Sequence, residues 1–240
     1  MGDKLGLVIP TLNEEANIGT LLDRVRLNLN GLPIDYELIV VDDNSTDGTA
    51  AVVRESSKSD PRIRLLVRIG ARGLAGAVIY GWDHTDANLL GVIDADLQHP
   101  PTLLPALVAA IQEGKDMAIA SRYTTGNGTP GWNPLRRAVS LLSTWSTLLL
   151  QRPSIRVRDP LSGFFLLRRT CITGVHLQPQ GFKLLFEILV RGNIRSVVEV
   201  PYQFGQRYAG KSKANLRVGL DYLVLWGRLS KTAFSRSGSS

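Results

Sequence analysis

Residues 92–101 read VIDADLQHPP, an apolar run that meets two carboxylates, a glutamine and a histidine and then stops at two prolines. In an extended chain alternate residues point the same way, so Asp94, Asp96 and Gln98 are expected on one side. Such a cluster at the mouth of a hydrophobic strand is costly unless something uses it. The run belongs to a longer strand pattern, LLGVIDA (89–95), and the same pattern recurs along the first half. LGLVIP (5–10), YELIVVDD (36–43), IRLLVRI (63–69) and DMAIASR (116–122) are short Val/Ile-rich runs. Helical periodicity separates them, over 14–29, 47–57, the segment GLAGAVIYGW and 101–113. Nearly continuous apolar strands alternating with helices imply a parallel sheet covered on both faces.

In open sheets of that kind ligands bind beyond the carboxyl ends of the strands. Those ends read PTLNE, DDNSTDG, DADLQ and SR, all polar where the preceding strand is apolar. Asp94 and Asp96 offer hard anionic oxygens and Gln98 a neutral carbonyl, a donor set suited to Mg²⁺ or Mn²⁺ with positions left for phosphate oxygens and water. His99 precedes Pro100 and Pro101, where a helix should begin, and reads as structural or as a support to a neighbouring ligand rather than as a catalytic group. In VVDDNSTDGT, Asp43 is a ligand candidate and Asp42 its partner, whereas Asp47 with Gly48 reads as turn and cap chemistry. No GxGxxG directly follows the first strand, and the chain contains no GxSxG and no HExxH.

After Arg122 the rhythm changes. A Gly/Pro-rich loop (124–134) leads into an expected helix over 135–151, then RDPLSGFFLLRR, a helix around 181–192, a strand over 196–204, a basic loop QRYAGKSKAN and a terminal helix over 216–231; SRSGSS reads as a disordered tail. Charge divides the same way. Residues 1–120 hold 10 Lys/Arg against 17 Asp/Glu, and residues 121–240 hold 18 against 4. A basic second half suits an anionic partner such as phosphates, acidic lipid or nucleic acid. One cysteine, Cys171, excludes an intramolecular disulfide and is compatible with the cytoplasm. No signal peptide is expected, and 138–151 falls short of a membrane span.

Together these motifs resemble the family 2 glycosyltransferases of GT-A fold and, within them, the dolichol-phosphate or polyprenol-phosphate mannose synthases. The resemblance runs through VIPTLNEEANI, VVDDNSTDGT, ARGLAGAVIYG, VIDADLQHPP, ASRY, DPLSGFFLLRR, GFKLLFEIL and QRYAGKSK. It implies a GT-A, Rossmann-like, mostly parallel sheet flanked by helices, with acceptor-side helices at the C-terminal end. It also implies one domain over 1–240: a nucleotide-sugar half (1–122), an acceptor and membrane-facing half (123–231) and a tail (232–240).

The implied reaction is inverting, metal-dependent transfer of mannose from GDP-mannose to dolichyl or polyprenyl phosphate. UDP-glucose or another nucleotide sugar is the alternative donor, and a basic lipid- or nucleic-acid-binding module the alternative of another class. By the same resemblance Pro10, Leu12, Glu14, Val41 and Asp43 would hold the nucleoside. Asp94, Ala95, Asp96 and Gln98 would hold metal and diphosphate. Arg122 would reach the phosphates, Arg136 and Ser140 the acceptor phosphate, and Arg207 and Lys213 the donor. Asp96, Arg122 and Arg136 would carry catalysis, while Asp159 and Ser162 would shape the acceptor side. Implied partners are the nucleotide sugar, the lipid phosphate and a membrane surface at its cytoplasmic face, with a membrane-anchoring partner or further C-terminal spans, and no nucleic acid.

Overall fold

The structure, a computed structural model, describes residues 2–123, 147, 150–178 and 183–202. The expected segments at 124–134 and 216–231, nearly all of the expected helix over 135–151, and the tail lie outside them. So do Arg136, Ser140, Arg207 and Lys213.

The first half alternates as the sequence predicts. β1 (Lys4–Thr11), α1 (Glu15–Leu29), β2 (Asp35–Asp42), α2 (Thr49–Ser59), β3 (Ile63–Val67), α3 (Leu74–Asp83) and β4 (Leu89–Val92) follow in order. A 3₁₀ turn at Pro101–Leu103 opens α4 (Leu104–Gln112), and β5 (Met117–Ser121) comes next. Then come β6 (Phe165–Arg168), α5 (Leu184–Arg191) and β7 (Val197–Pro201). Among the described residues these strands form one seven-stranded sheet, in the order β3-β2-β1-β4-β6-β5-β7.

The sheet is parallel except at β6, which runs antiparallel to both β4 and β5. That strand was absent from the sequence reading. FFLL carries the apolar signal of a buried strand, but a run so short has no period to separate it from a helix. Its insertion also accounts for a glycine in mid-strand. A Cβ on Gly91 would sit 2.5 Å from Leu166 Cδ2 and 2.8 Å from Leu7 Cδ1, so β4 tolerates these neighbours only without a side chain.

Alternation along each strand splits the core into two layers. Leu5, Leu7 and Ile9 of β1, Leu38 and Val40 of β2 and Leu166 of β6 meet α1 and α4 through Ile18, Leu21, Val25, Leu107 and Ile111. Val8, Ile39, Val41, Leu90, Val92, Phe165 and Leu167 face the other way, against Val78 and Trp82 of α3 and Leu185, Ile188 and Leu189 of α5. Trp82 donates its indole N–H to the Gly91 carbonyl at 3.1 Å, which pins α3 onto β4. Among the described residues no helix is long and apolar enough to cross a membrane.

Candidate active site at the carboxyl edge of the sheet

Strand order reverses between β1 and β4, so their carboxyl ends diverge into a crevice. On the β1 side the loops after β1 and β2 are locked together. Asn13 donates its backbone N–H to Ser45 Oγ (2.8 Å) and accepts Thr46 N–H at Oδ1 (2.9 Å). Glu15 Oε2 accepts Gly48 N–H (2.9 Å), and Asp47 returns the exchange by accepting Glu15 N–H (3.2 Å) and Thr49 N–H (3.0 Å). Each helix start therefore satisfies orphan donors of the other. Burial works against ionisation of Asp47, but the Thr49 hydroxyl and the backbone donors outweigh it and hold the carboxyl below its ordinary value.

Pro10 pairs in register with Val41 at the base of this edge, and Leu12 and Glu14 follow, both half-buried. Glu14 Oε2 accepts the Asn17 amide at 2.8 Å. Asp42 is buried under bonds from Thr11 Oγ1 (2.8 Å) and Ser45 N–H (2.8 Å). Asp43 takes Arg68 Nε (2.7 Å) and Nη2 (2.6 Å) on Oδ1 and Gly73 N–H (2.8 Å) on Oδ2. A carboxylate offers about four lone-pair positions, so three are spent inside the protein and about one remains on Oδ2.

The DADLQ segment departs from its expected geometry. β4 ends at Val92, and residues 95–96 already form a turn. Leu97 adopts φ +60°, and Gln98 N–H bonds back to Asp96 Oδ1 at 3.1 Å. Alternation therefore does not place Asp94, Asp96 and Gln98 on one side, because it is a property of strands and the strand has finished. Asp94, Asp96 and Gln98 are half-buried, and Ala95 is buried between the two aspartates. His99 is buried in the same turn, its ring 6.1 Å from Phe164 and 5.8 Å from Tyr202 between centroids. Burial pushes its pKa down to about 4 against the opposing pull of Asp96. Burial thus keeps the imidazole beside Asp94 (Nδ1–Oδ2 3.7 Å) uncharged at neutral pH.

Because β6 runs antiparallel, it enters the sheet from this same edge and brings DPLSG between β4 and β5. Gly163 lies against Asp94 so closely that a Cβ there would be 2.2 Å from Oδ2. Ser162 Oγ donates to the Ala120 carbonyl at 2.7 Å. Asp159, fully buried, receives Arg122 through Nε (2.8 Å), Nη2 (2.7 Å) and the backbone N–H (3.0 Å). Burial alone would disfavour the guanidinium charge, but these bonds more than reverse it and raise the Arg122 pKa. Asp159 and Ser162 are thus in contact with β5, and two residues that the sequence left without a role join them. Tyr202, hydrogen-bonded from its backbone N–H to the Ser121 carbonyl at 3.1 Å, has its hydroxyl pKa pushed up by burial. Lys183, just before α5, feels Arg122, Asp94 and Asp159, and burial lowers its pKa. Both are far from DADLQ in the chain, so nothing local marks them.

Asp94 and Asp96 with Gln98 fit a divalent cation as an incomplete, oxygen-only donor set. Among the described residues no group of three or more His, Cys, Asp or Glu could enclose a metal. An open set of this kind leaves coordination positions for phosphate oxygens and water, and the lack of a side chain at Gly163 leaves the Asp94 carboxylate its place.

The Glycosyl transferase family 2 profile matches residues 7–174. A dolichol-phosphate mannosyltransferase of Pyrococcus furiosus is 41% identical over 232 residues, covering 95% of this chain and 64% of that protein. One of Saccharomyces cerevisiae is 31% identical over 233 residues (93% and 85%). A polyprenol monophosphomannose synthase of Mycolicibacterium smegmatis is 33% identical over 235 residues (92% and 86%). The chain thus spans under two thirds of the length of the Pyrococcus relative. Among solved structures, glucosyl-3-phosphoglycerate synthase of Mycobacterium tuberculosis, in complex with Mn²⁺, UDP-glucose and phosphoglyceric acid, superposes with a TM-score of 0.70 at 23% identity, covering 99% of this chain and 80% of that one. That likeness is one of fold, with the same GT-A-like mixed sheet. The profile match and the 41% identity establish that this chain belongs to glycosyl transferase family 2.

Proposed function

We propose that this chain transfers mannose from GDP-mannose to the phosphate of a dolichyl or polyprenyl lipid, with inversion at the anomeric carbon. The observation that carries the reading is the meeting, at one sheet edge, of an acidic turn and a half-buried arginine: Asp94, two residues before Asp96, lies against Gly163 of DPLSG, and Arg122 bonds to its Asp159. The names borne by relatives from an archaeon, yeast and a mycobacterium support the lipid phosphate as acceptor.

A phosphate monoester has a second pKa of about 6 and is largely dianionic at neutral pH. It needs no enzyme base, and its oxygen bonds to the anomeric carbon as the bond to the GDP β-phosphate breaks. What it does need is charge compensation, because two anionic substrates must approach one another. Arg122 would supply some of it by binding the acceptor phosphate, and Arg136 and Ser140 would add to it on the same side. Arg207 and Lys213 would contact the donor phosphates, and Pro10, Leu12, Glu14, Val41 and Asp43 the nucleoside. Asp94, Asp96 and Gln98 would hold Mg²⁺ or Mn²⁺, which supplies positive charge beside the leaving diphosphate, with Ala95 at their side. A lipid acceptor fits a domain that works peripherally at a membrane surface, for which the cytoplasmic face is our reading.

A panel of radiolabelled nucleotide sugars with polyprenyl phosphate and either metal tests the proposal. Label should pass from GDP-mannose to lipid. Transfer from UDP-glucose alone would overturn the donor, and RNA binding without any transfer the whole reading. Asp96→Ala should abolish turnover with the circular dichroism spectrum unchanged; full activity in that variant would sink the metal assignment.

A further inference from the structure

Arg122 is aimed by another residue, and that residue is held in turn. Its Nε and Nη2 both bond to the Asp159 carboxylate. Asp159 has a single methylene between backbone and carboxylate, so its carboxylate follows its backbone closely. That backbone lies in an irregular segment between Ile155 and β6, with no strand ladder to fix it. Gln151 grips the backbone of Val157 and the Ser162 N–H reaches the Asp159 carbonyl, while the two amides at 158 and 159 are held from the sheet by Glu199, in the middle of β7. Glu199 Oε1 accepts the Asp159 N–H at 3.0 Å, and Oε2 accepts the Arg158 N–H at 2.9 Å. Both oxygens of one half-buried carboxylate are thus given to two consecutive amides.

The anchor and the arginine share a rigid frame. β7 pairs with β5 in register, Glu199 opposite Ile119 and Pro201 opposite Ser121, and Arg122 follows directly. A closed circuit runs from β5 to β7, through Glu199 to the backbone at 158–159, and through the Asp159 carboxylate back to Arg122. Asp159 is fully buried, and breaking a buried ion pair is strongly destabilising. If the backbone at 159 moves, the guanidinium follows its carboxylate rather than part from it.

We propose that Glu199 is a positioning residue for the lipid-phosphate subsite: through the Asp159 backbone it sets where Arg122 presents its guanidinium. This rests on Arg122 binding the acceptor phosphate, as in the function proposed above. Misplacement of a charged contact by about 1 Å can cost about a hundredfold in rate, so the circuit matters more for the reaction than for the fold.

The test is a double-mutant cycle between Glu199→Ala and Arg122→Lys. It is read by calorimetric binding of a short-chain prenyl phosphate and of GDP and by steady-state kinetics. Glu199→Ala should weaken prenyl phosphate binding about tenfold and raise the acceptor KM in step, with GDP affinity within about twofold of wild type. Glu199→Gln should fall between, since an amide oxygen can accept only one of the two N–H groups cleanly, and it carries the cycle if the alanine variant does not fold. In the Arg122→Lys background the Glu199 substitution should add less than about twofold, because the two residues act as one unit. Full additivity, or a loss of GDP affinity equal to the loss of acceptor affinity, overturns the inference. If the wild-type protein itself fails to bind prenyl phosphate, the proposed function fails and takes this inference with it; binding by wild type with an additive cycle defeats the inference alone.

Discussion

Asp94 sits in the space that a side chain at position 163 would fill. A Cβ on Gly163 would come within 2.2 Å of Oδ2, 2.7 Å of Cγ and 2.9 Å of Oδ1, so no small adjustment of the carboxylate admits it. Overpacking of this kind costs about 1–3 kcal/mol, too little to unfold a domain but enough to turn one carboxylate away. Gly163→Ala should therefore weaken Mn²⁺ binding, followed by electron paramagnetic resonance, and lower turnover by about 10–100-fold. The thermal midpoint should fall by only a few degrees. Unaltered Mn²⁺ affinity would separate Asp94 from the metal. The pair Asp94 and Asp96 was legible because acids at the end of an apolar run lose hydration at a cost that a bound cation offsets. The shape of the turn was not, since neither the early end of β4 nor the positive φ at Leu97 has a marker in the letters DADLQ. Gly163, Lys183 and Tyr202 were missed for another reason: each comes near the acidic turn only through the fold, from a place distant in sequence.

Local pattern carried the elements well wherever one element made its own signal. α1 and α2 were found from their apolar spacing within a residue or two of their observed ends, and Asp47 was rightly assigned to turn and cap chemistry. What pattern could not supply is the exchange of bonds between the two helix starts, since each donor's partner lies about thirty residues away. The turn between α2 and β3 shows the same kind of tie. Asp60 accepts Arg62 Nε (2.9 Å) and Nη2 (2.8 Å) and reaches Arg26 of α1 at 2.9 Å. The Arg62 bonds are the largest cause holding its pKa at about 2, below 3.8, against the cost of burial. A carboxylate with a depressed folded pKa stabilises above its unfolded pKa, and the contribution is lost as pH falls through the folded value. Asp60→Asn should therefore lower stability at pH 7 by about 2 kcal/mol at most, and the two proteins should converge as pH falls from 4 to 2. Urea unfolding across that range is the measurement. A difference that stays constant with pH would assign the loss to packing rather than to charge.

At the scale of the molecule, composition suggested two halves, acidic before Arg122 and basic after it, and the sheet joins them. β5 is not hydrogen-bonded to β4: its neighbours are β6 and β7, both from the second half. A chain ending at Arg122 would keep β3, β2, β1 and β4 as a parallel ladder but leave β5 with no partner and β4 with a bare edge. It would also lose Phe164, Phe165, Leu166 and Leu167, all buried at 1% exposure or less. Burial of each such side chain contributes about 1.5–3 kcal/mol, so the four together are worth roughly 6–12 kcal/mol. That is about the whole net stability of an ordinary domain, roughly 5–15 kcal/mol, before the helix α5 beneath Phe165 is considered. A fragment of residues 1–122 should accordingly show no cooperative urea transition and should self-associate through β4, as an unpaired apolar edge does. Circular dichroism with size-exclusion chromatography reads both properties. A monomeric fragment with a sigmoidal transition and a denaturant slope fitting its length would make the first half an independent folding unit, with β6 as a later addition to a sheet already complete.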